Sequence, residues 1–104
     1  MDKDYDLVFE TPRGNRSGYL IFMIEKQALN GVLNIGSANA SFFGGTFNER
    51  QFSFQGSIYF HYLHLNYQVK GQWFSDMIQG SLYMRHMKFN FKGYPHIRKH
   101  QPKN

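Results

Sequence analysis

The stretch QGSIYFHYLHLNY, residues 55–67, decides the fold because a second copy, QGSLYMRHMKFNF, follows at residues 79–91. The copies align without a gap and share Gln, Gly, Ser, Tyr and Asn at equivalent positions. In each copy apolar and polar residues alternate, as in a strand with one buried face, and the alternation changes parity at residues 61–62 and again at 85–86. Such a change is typical of a two-residue hairpin turn. Two consecutive hairpins of one pattern predict an antiparallel meander.

The same alternation continues along the rest of the chain. A glycine followed two residues later by an apolar residue begins or interrupts strands at positions 18, 31, 45, 56, 71 and 80, and such glycines indicate sharp bends. The 18–36 hairpin could close at residues 26–27 or at 30–31. We predict an all-β fold, an antiparallel up-and-down meander of about eight short strands forming a small barrel or half-barrel. The strands are expected at about 4–10, 18–25, 28–36, 41–48, 51–60, 63–73, 76–84 and 87–94.

Length and composition predict a single folded domain. The chain has 104 residues, 18% of them aromatic and none of them cysteine, so it can build a core without disulfides. We assign residues 1–95 to the domain and expect a flexible basic tail at 96–104, which contributes to the net charge of +5. No apolar stretch is long enough for a membrane helix, and the acidic start MDKDYD is unlike a signal peptide. We therefore expect a cytoplasmic protein without a membrane partner.

The spacing of several short motifs resembles a group of short, uncharacterised bacterial proteins. Those proteins have a Y-x-L strand, a TPxG turn and repeated G-x-L/I strands. The matching pieces here are YDL at 5–7, TPRG at 11–14, GVLNIG at 31–36, FGGTF at 43–47, FSFQG at 52–56, YQVKGQWFSDMIQGSL at 67–82 and FNFKG at 89–93. The resemblance implies an antiparallel β-meander, closed or nearly closed, and it implies no catalytic residue. The ending YPHIRKH departs from the pattern, so any role of the tail would be specific to this protein.

Histidines and carboxylates form no recognisable catalytic or metal site in the sequence. His61 and His64 are three residues apart, a spacing that places side chains on opposite faces of a strand. If His61 lies in its turn it could approach His86 in the sister turn, but cysteine is absent and no carboxylate is adjacent. We therefore predict no metal, no cofactor and no catalytic residue, and hence a binding protein rather than an enzyme.

The inner face of the predicted barrel offers a site for a small apolar molecule. An eight-stranded barrel can hold one small ligand or be filled by its own side chains, and the many bulky inner residues favour a packed interior. If a pocket is present, its lining would include Phe60, Tyr67, Met84 and Met87, because Met adapts to a ligand's shape and Tyr supplies a polar group. The predicted function is non-catalytic binding of an apolar small molecule in the barrel, or of a protein partner through the surface.

Residues 18–25 suggest where a protein partner could bind. This strand is apolar on both faces, and its second face consists of Tyr19, Ile21 and Met23. Either another part of the chain covers that face or it forms a homodimer contact.

The alternative function is weak, sequence-tolerant binding of nucleic acid, which requires basic groups and exposed aromatic rings on one face. The candidate residues are Tyr59, Lys70, Tyr83, Lys88 and Lys92. We rank nucleic acid behind a small molecule and a protein partner.

Overall fold

The eight predicted strands form a closed barrel. The structure is a computed structural model that describes residues 2–60 and 62–96, with the backbone alone for Asp2 and Phe60. Each strand pairs antiparallel with the next along the chain, and the first pairs with the last, which confirms the up-and-down fold and closes the barrel completely. The described residues form no helix long and apolar enough to cross a membrane. The strands are β1 (Asp2–Thr11), β2 (Gly14–Glu25), β3 (Ala28–Ile35), β4 (Ala38–Asn48), β5 (Gln51–Phe60), β6 (Leu63–Trp73), β7 (Ile78–Met84) and β8 (Met87–Pro95).

The two repeated hairpins turn where the change of parity predicts. Phe60 pairs with Leu63, and Met84 pairs with Met87, so each turn contains two residues. Arg85 begins the β7–β8 turn with a φ of 56°, a left-handed conformation that usually favours glycine. A side chain in this region costs about 1 kcal/mol, because its Cβ crowds the backbone.

Two other connections complete or modify the prediction. Glu25 pairs with Ala28, so the β2–β3 hairpin closes at residues 26–27 rather than at 30–31. β7 begins at Ile78 rather than at residue 76. The reason is that the Phe74 N–H donates a hydrogen bond of 2.8 Å to the Met77 carbonyl and holds residues 74–77 in a turn.

Four directly opposed residue pairs place an aromatic side chain over a glycine of the neighbouring strand. The aromatic side chain fills the space in which a glycine Cβ would lie, and its nearest atom is at most 3.0 Å from that point. The arrangement covers the glycine backbone with apolar surface while leaving the strand free to bend. The pairs are Gly31 with Phe42, Gly56 with Tyr67, Gly71 with Phe52 and Gly80 with Phe91.

Aromatic rings also form the centre of the core. Phe42 and Phe54 stack with their centroids 3.8 Å apart, and Phe22 meets both of them edge-on. No charged side chain is buried among the described residues. Burial of large apolar side chains is therefore the main term that stabilises the barrel.

The seam between β1 and β8 is extended by His96. Its backbone N–H donates to the Asp4 carbonyl at 3.0 Å, and its Nδ1 lies 3.0 Å from a carboxylate oxygen of Asp6. The sequence predicts His96 as the first residue of the flexible tail, whereas in the structure these two contacts attach it to β1. The remaining tail, residues 97–104, lies outside the described residues.

Candidate functional site

One end of the barrel brings together most of the predicted ligand-binding residues. We call it the upper end, where β1 connects to β2, β3 to β4, β5 to β6 and β7 to β8. Gly56, Tyr67, Met84 and Met87 are directly opposed across β5 to β8 and form one inner row. Three of the four predicted lining residues therefore lie side by side. The side chain of the fourth, Phe60, lies outside the described residues.

The inner row runs from the interior to the rim of the barrel. Tyr67 and Met84 are each 3% exposed, whereas Met87 is 47% exposed. Leu63, which the alternation also places on the inner face, is 53% exposed. Their parity is as predicted, but Met87 and Leu63 reach beyond the neighbouring strands and lie at the mouth. A molecule at the upper end would meet flexible apolar side chains first and Tyr67 behind them.

The Tyr67 hydroxyl has an unusual environment, because it is buried and finds no hydrogen-bond partner among the described residues. Burial raises the pKa of Tyr67 to about 12. The hydroxyl oxygen lies 2.9 Å from the place where a Cβ of Gly56 would be, so a larger residue at position 56 would displace the Tyr67 ring. Leaving a buried polar group without a partner costs about 1–3 kcal/mol.

The second copy of the hairpin shows that packing does not require this hydroxyl. Phe91 occupies the position equivalent to Tyr67, and its ring lies over Gly80 just as the Tyr67 ring lies over Gly56. A phenylalanine therefore fulfils the same structural role in the sister hairpin. The extra oxygen of Tyr67 remains unexplained by the fold.

A second buried polar group without a partner among the described residues lies toward the opposite end of the barrel, at a residue that no sequence pattern marks as functional. The indole N–H of Trp73 makes no hydrogen bond within the described residues. The ring packs against Phe52, at a centroid distance of 4.7 Å. Burial raises the pKa of the neighbouring Tyr5. The nearby indole N–H of Trp73 lowers that pKa by a smaller amount, although it does not meet the geometry of a hydrogen bond. Its only sequence signal is that it is the single tryptophan.

β5 has a shorter paired register with β4 on one side than with β6 on the other. The paired register of β4 with β5 covers only residues 46–48 and 51–53. The register of β5 with β6, by contrast, runs the full length from Gln51 to Phe60. Gly56 therefore lies in the part of β5 that is paired to β6 and not to β4.

The outer face of β5 to β8 carries the same cross-strand pairs in both hairpins. Ser57 donates to Asn66 at 3.3 Å in the first hairpin, and the equivalent bond in the second measures 2.9 Å. Tyr59 stacks on His64 at 4.5 Å, and at the equivalent place the Lys88 ammonium lies 5.9 Å from the Tyr83 ring. Such pairs stabilise a sheet. Three of the five residues predicted for nucleic-acid binding are thus engaged with a neighbour.

The other two, Lys70 and Lys92, lie in a groove on this outer face. The groove is open to solvent, has a volume of about 720 Å³, and crosses β4 to β8 as far as β1. Its remaining lining consists mainly of Gln, Asn and Ser side chains. The sequence predicted the two lysines individually but not the groove that they share.

The outer face of β2 to β4 is different in character, because several apolar side chains lie together on it beside Asn and Ser residues. Met23 is 39% exposed and Ile21 and Val32 are half-buried beside each other. Phe43 is 76% exposed, because it lies on the outer side of the alternation in β4, next to a bulge at Gly44 with a φ of 72°. The predicted apolar second face of residues 18–25 is therefore uncovered in part, and we call these four residues the outer apolar patch.

Metal-binding side chains are dispersed in the described part of the chain. Among residues 2–60 and 62–96, no three of the His, Asp and Glu side chains are close enough to hold a metal ion together. His61, the residue expected to approach His86, lies outside the described residues.

Comparison with known proteins identifies a structural relative and no sequence family. No protein-family model and no curated protein matches the chain. A solved structure described as a redesigned beta barrel, mFAP1, bound to DFHBI, superposes with a TM-score of 0.65 over 90% of this chain and 93% of that chain. The two sequences are 12% identical. The likeness supports the small closed barrel as the fold.

Proposed function

We propose that the protein binds an apolar small molecule at the upper end of the barrel, with the Tyr67 hydroxyl as the polar contact. The observation that carries this proposal is the buried hydroxyl without a partner, at a position where the sister hairpin uses phenylalanine. A ligand oxygen or nitrogen that accepts a hydrogen bond from Tyr67 would remove the desolvation penalty. The apolar remainder of the ligand would pack against Met84 and Met87, and Phe60 completes the predicted lining.

The comparison with the redesigned barrel supports the same class of ligand. That protein is described as a redesigned beta barrel bound to the small molecule DFHBI, and the superposition covers 93% of its chain. At 12% identity the likeness carries no residue from one chain to the other. The support for Tyr67 therefore comes from its own burial and from the sister hairpin. Binding without chemical change is the simplest activity for such a site, because the row offers one weakly polar group among apolar ones.

The test compares two tyrosine variants. Tyr67→Phe removes the hydroxyl without a partner, and Tyr5→Phe serves as a control that removes another buried tyrosine hydroxyl, on β1. We expect Tyr67→Phe to raise the free energy of unfolding of the ligand-free protein by about 1 kcal/mol. We also expect it to weaken binding of Nile red, an apolar dye with a carbonyl group, by about tenfold. Tyr5→Phe should leave dye binding unchanged.

Native mass spectrometry of protein purified without denaturation gives an independent measurement. A discrete extra mass on the wild-type chain that is absent from Tyr67→Phe supports the proposal and gives the mass of the ligand. The proposal fails if dye binding is the same in wild type and Tyr67→Phe, or if both proteins carry the same extra mass.

A second candidate, self-association, is favoured by the outer apolar patch on β2 to β4. A two-fold dimer would bury the same patch of both copies, including the exposed Phe43 ring. We expect sedimentation to show a concentration-dependent dimer that Phe43→Ser abolishes. Tyr59→Ser, which removes another exposed ring, on β5, is the control. A wild-type protein that remains monomeric at the highest concentration rules this candidate out.

A further inference from the structure

The groove on the outer face of β5 to β8 has a rigid floor. Gly71 and Gly80 are directly opposed and line it, so the floor is bare backbone. From the inside, Phe52 and Phe91 fill the space where the glycine side chains would be. A floor without side chains, packed from below, keeps its shape when a ligand approaches.

Two parallel rows of polar side chains stand on either side of this floor. Gln51, Gln72, Gln79 and Lys92 are opposed in register across β5 to β8. The adjacent row is Ser53, Lys70, Ser81 and Asn90. Each row spans three strand spacings, which is about 14 Å. The groove is therefore long enough for a short oligomer and too open to enclose a single small molecule.

Each of the two rows contributes one positively charged side chain to the groove, Lys70 in one row and Lys92 in the other. Neither Lys70 nor Lys92 forms an ion pair within the described part of the chain. Glu10 bounds the groove at its β1 edge, opposite Asn90. An anionic ligand would lie over β6 to β8, between the two ammonium groups and away from Glu10.

The neutral side chains indicate the chemistry of that ligand. Gln72 and Gln79 each offer an amide donor and acceptor next to one another, a combination that pairs with vicinal hydroxyl groups. The Asn90 amide is held in place by a hydrogen bond of 2.9 Å from Ser81. The groove thus has more neutral hydrogen-bonding side chains than charged ones, which favours a ligand that carries more hydroxyl groups than charges.

The lining lacks the feature that single-stranded nucleic acid needs. Its aromatic residues are Phe47, Phe52 and Phe91, and their side chains are directed to the core, where Phe52 and Phe91 are each 3% exposed. The exposed tyrosines of this face, among them Tyr59 and Tyr83, lie outside the groove. Without an exposed ring in the groove, bases have nothing to stack on.

We propose that this outer groove binds an anionic oligosaccharide, with Lys70 and Lys92 attracting its acidic groups and Gln72 and Gln79 contacting its hydroxyls. The site is separate from the barrel interior, and it does not depend on the function proposed for Tyr67.

The experiment titrates the full-length protein with a hexamer of galacturonic acid at low salt and follows binding by calorimetry. We expect Lys70→Gln with Lys92→Gln to weaken binding about tenfold, since the acidic groups lose their counter-charges. Lys3→Gln with Arg13→Gln makes the same change in net charge at two exposed residues outside the groove, and should weaken binding less than about twofold. Gln72→Ala with Gln79→Ala should weaken it about fivefold without changing the charge.

Two further probes separate the classes of ligand. Maltohexaose, which is neutral, should not bind, and an oligothymidylate of equal charge should bind more weakly than the acidic sugar. Equal binding of maltohexaose, or tighter binding of oligothymidylate, overturns the proposal. So does an equal loss of affinity in the control charge variant, or no loss in the glutamine variant. None of these variants removes a buried group, and Tyr67→Phe should leave the titration unchanged.

Discussion

The hairpins β5–β6 and β7–β8 are near-copies on the outside of the barrel and differ on the inside. Both carry a Ser–Asn hydrogen bond and a stacked or cation–π pair at equivalent outer positions. On the inside both place an aromatic ring over a glycine, but one ring is Tyr67 and the other is Phe91. The outer pairs that the two hairpins share stabilise the sheet. Tyr67 adds a polar group at an inner position where the sister hairpin has none, and a role beyond folding has to be sought there.

The strongest way to test this comparison is to add a methyl group at the two equivalent glycines. A Cβ on Gly80 would overlap the Lys70 carbonyl oxygen and lie 2.7 Å from the Gly71 Cα, and backbone atoms cannot move aside. A Cβ on Gly56 meets the hydroxyl end of Tyr67, which is a movable side chain. We expect Gly80→Ala to lower the free energy of unfolding by about 3 kcal/mol and Gly56→Ala by about 1 kcal/mol. Urea denaturation measures both, and equal losses would contradict this account.

A smaller effect on the free energy of unfolding should distinguish the Tyr67 ring from the Phe91 ring at high pH. Burial raises the pKa of Tyr67 to about 12 in the folded protein, whereas an unfolded tyrosine has a pKa of about 10. The unfolded chain therefore loses this proton first, so the stabilisation present below pH 10 is lost as the pH rises toward 12, by up to about 2 kcal/mol. The measurement is urea denaturation at pH 9 and pH 11.5.

The control for the pH experiment is Tyr67→Phe, which makes the first hairpin like the second at this position. It should lose less stability than wild type over the same range. All other side chains are the same in both proteins, so their contributions cancel in the difference. If wild type and variant lose the same amount, the Tyr67 phenol is not held in its neutral form by the fold.

The smallest expected effect lies in the turns. Arg85 and Tyr62 have φ angles of 56° and 72°, which a glycine adopts without strain. We expect Arg85→Gly and Tyr62→Gly each to raise the free energy of unfolding by about 1 kcal/mol, less the entropy that glycine adds to the unfolded chain. Thermal unfolding checks this. A loss of stability in either variant would show that the side chain removed there makes a contact that stabilises its turn.

The hairpins could be predicted from the sequence because parity and the repeat both report local pairing. Each two-residue turn fixes which residues are opposed, so Phe60 with Leu63 and Met84 with Met87 follow from the alternation alone. Closure of the barrel could not be predicted in the same way. It depends on how far the strands bend at their glycines and on the register between β1 and β8, which are far apart in sequence.

The candidate sites were predictable only in part for a related reason. The sequence predicts Tyr67 as a lining residue, but whether its hydroxyl has a hydrogen-bond partner depends on every neighbour in three dimensions. The groove depends on the register of β6 against β7, where Gln72 meets Gln79. That register is set by the four-residue turn at 74–77, which carries no two-residue turn signal. Alternation assigns each side chain to a face, and it does not show which side chains of that face meet.

The short pairing between β4 and β5 has a consequence for exchange between the barrel interior and solvent. Separating two strands breaks the ladder hydrogen bonds between them, and this ladder is confined to residues 46–48 and 51–53. The two strands still run side by side beyond these residues, so the difference from β5 and β6, whose ladder runs along the whole strand, lies in hydrogen-bonded pairing, and we expect strand separation to begin here. Gly56 lies beyond the registered pairs of β5 with β4, so separation of the two strands at this point would open a lateral path from solvent to the Tyr67 hydroxyl while the rest of the barrel stays folded.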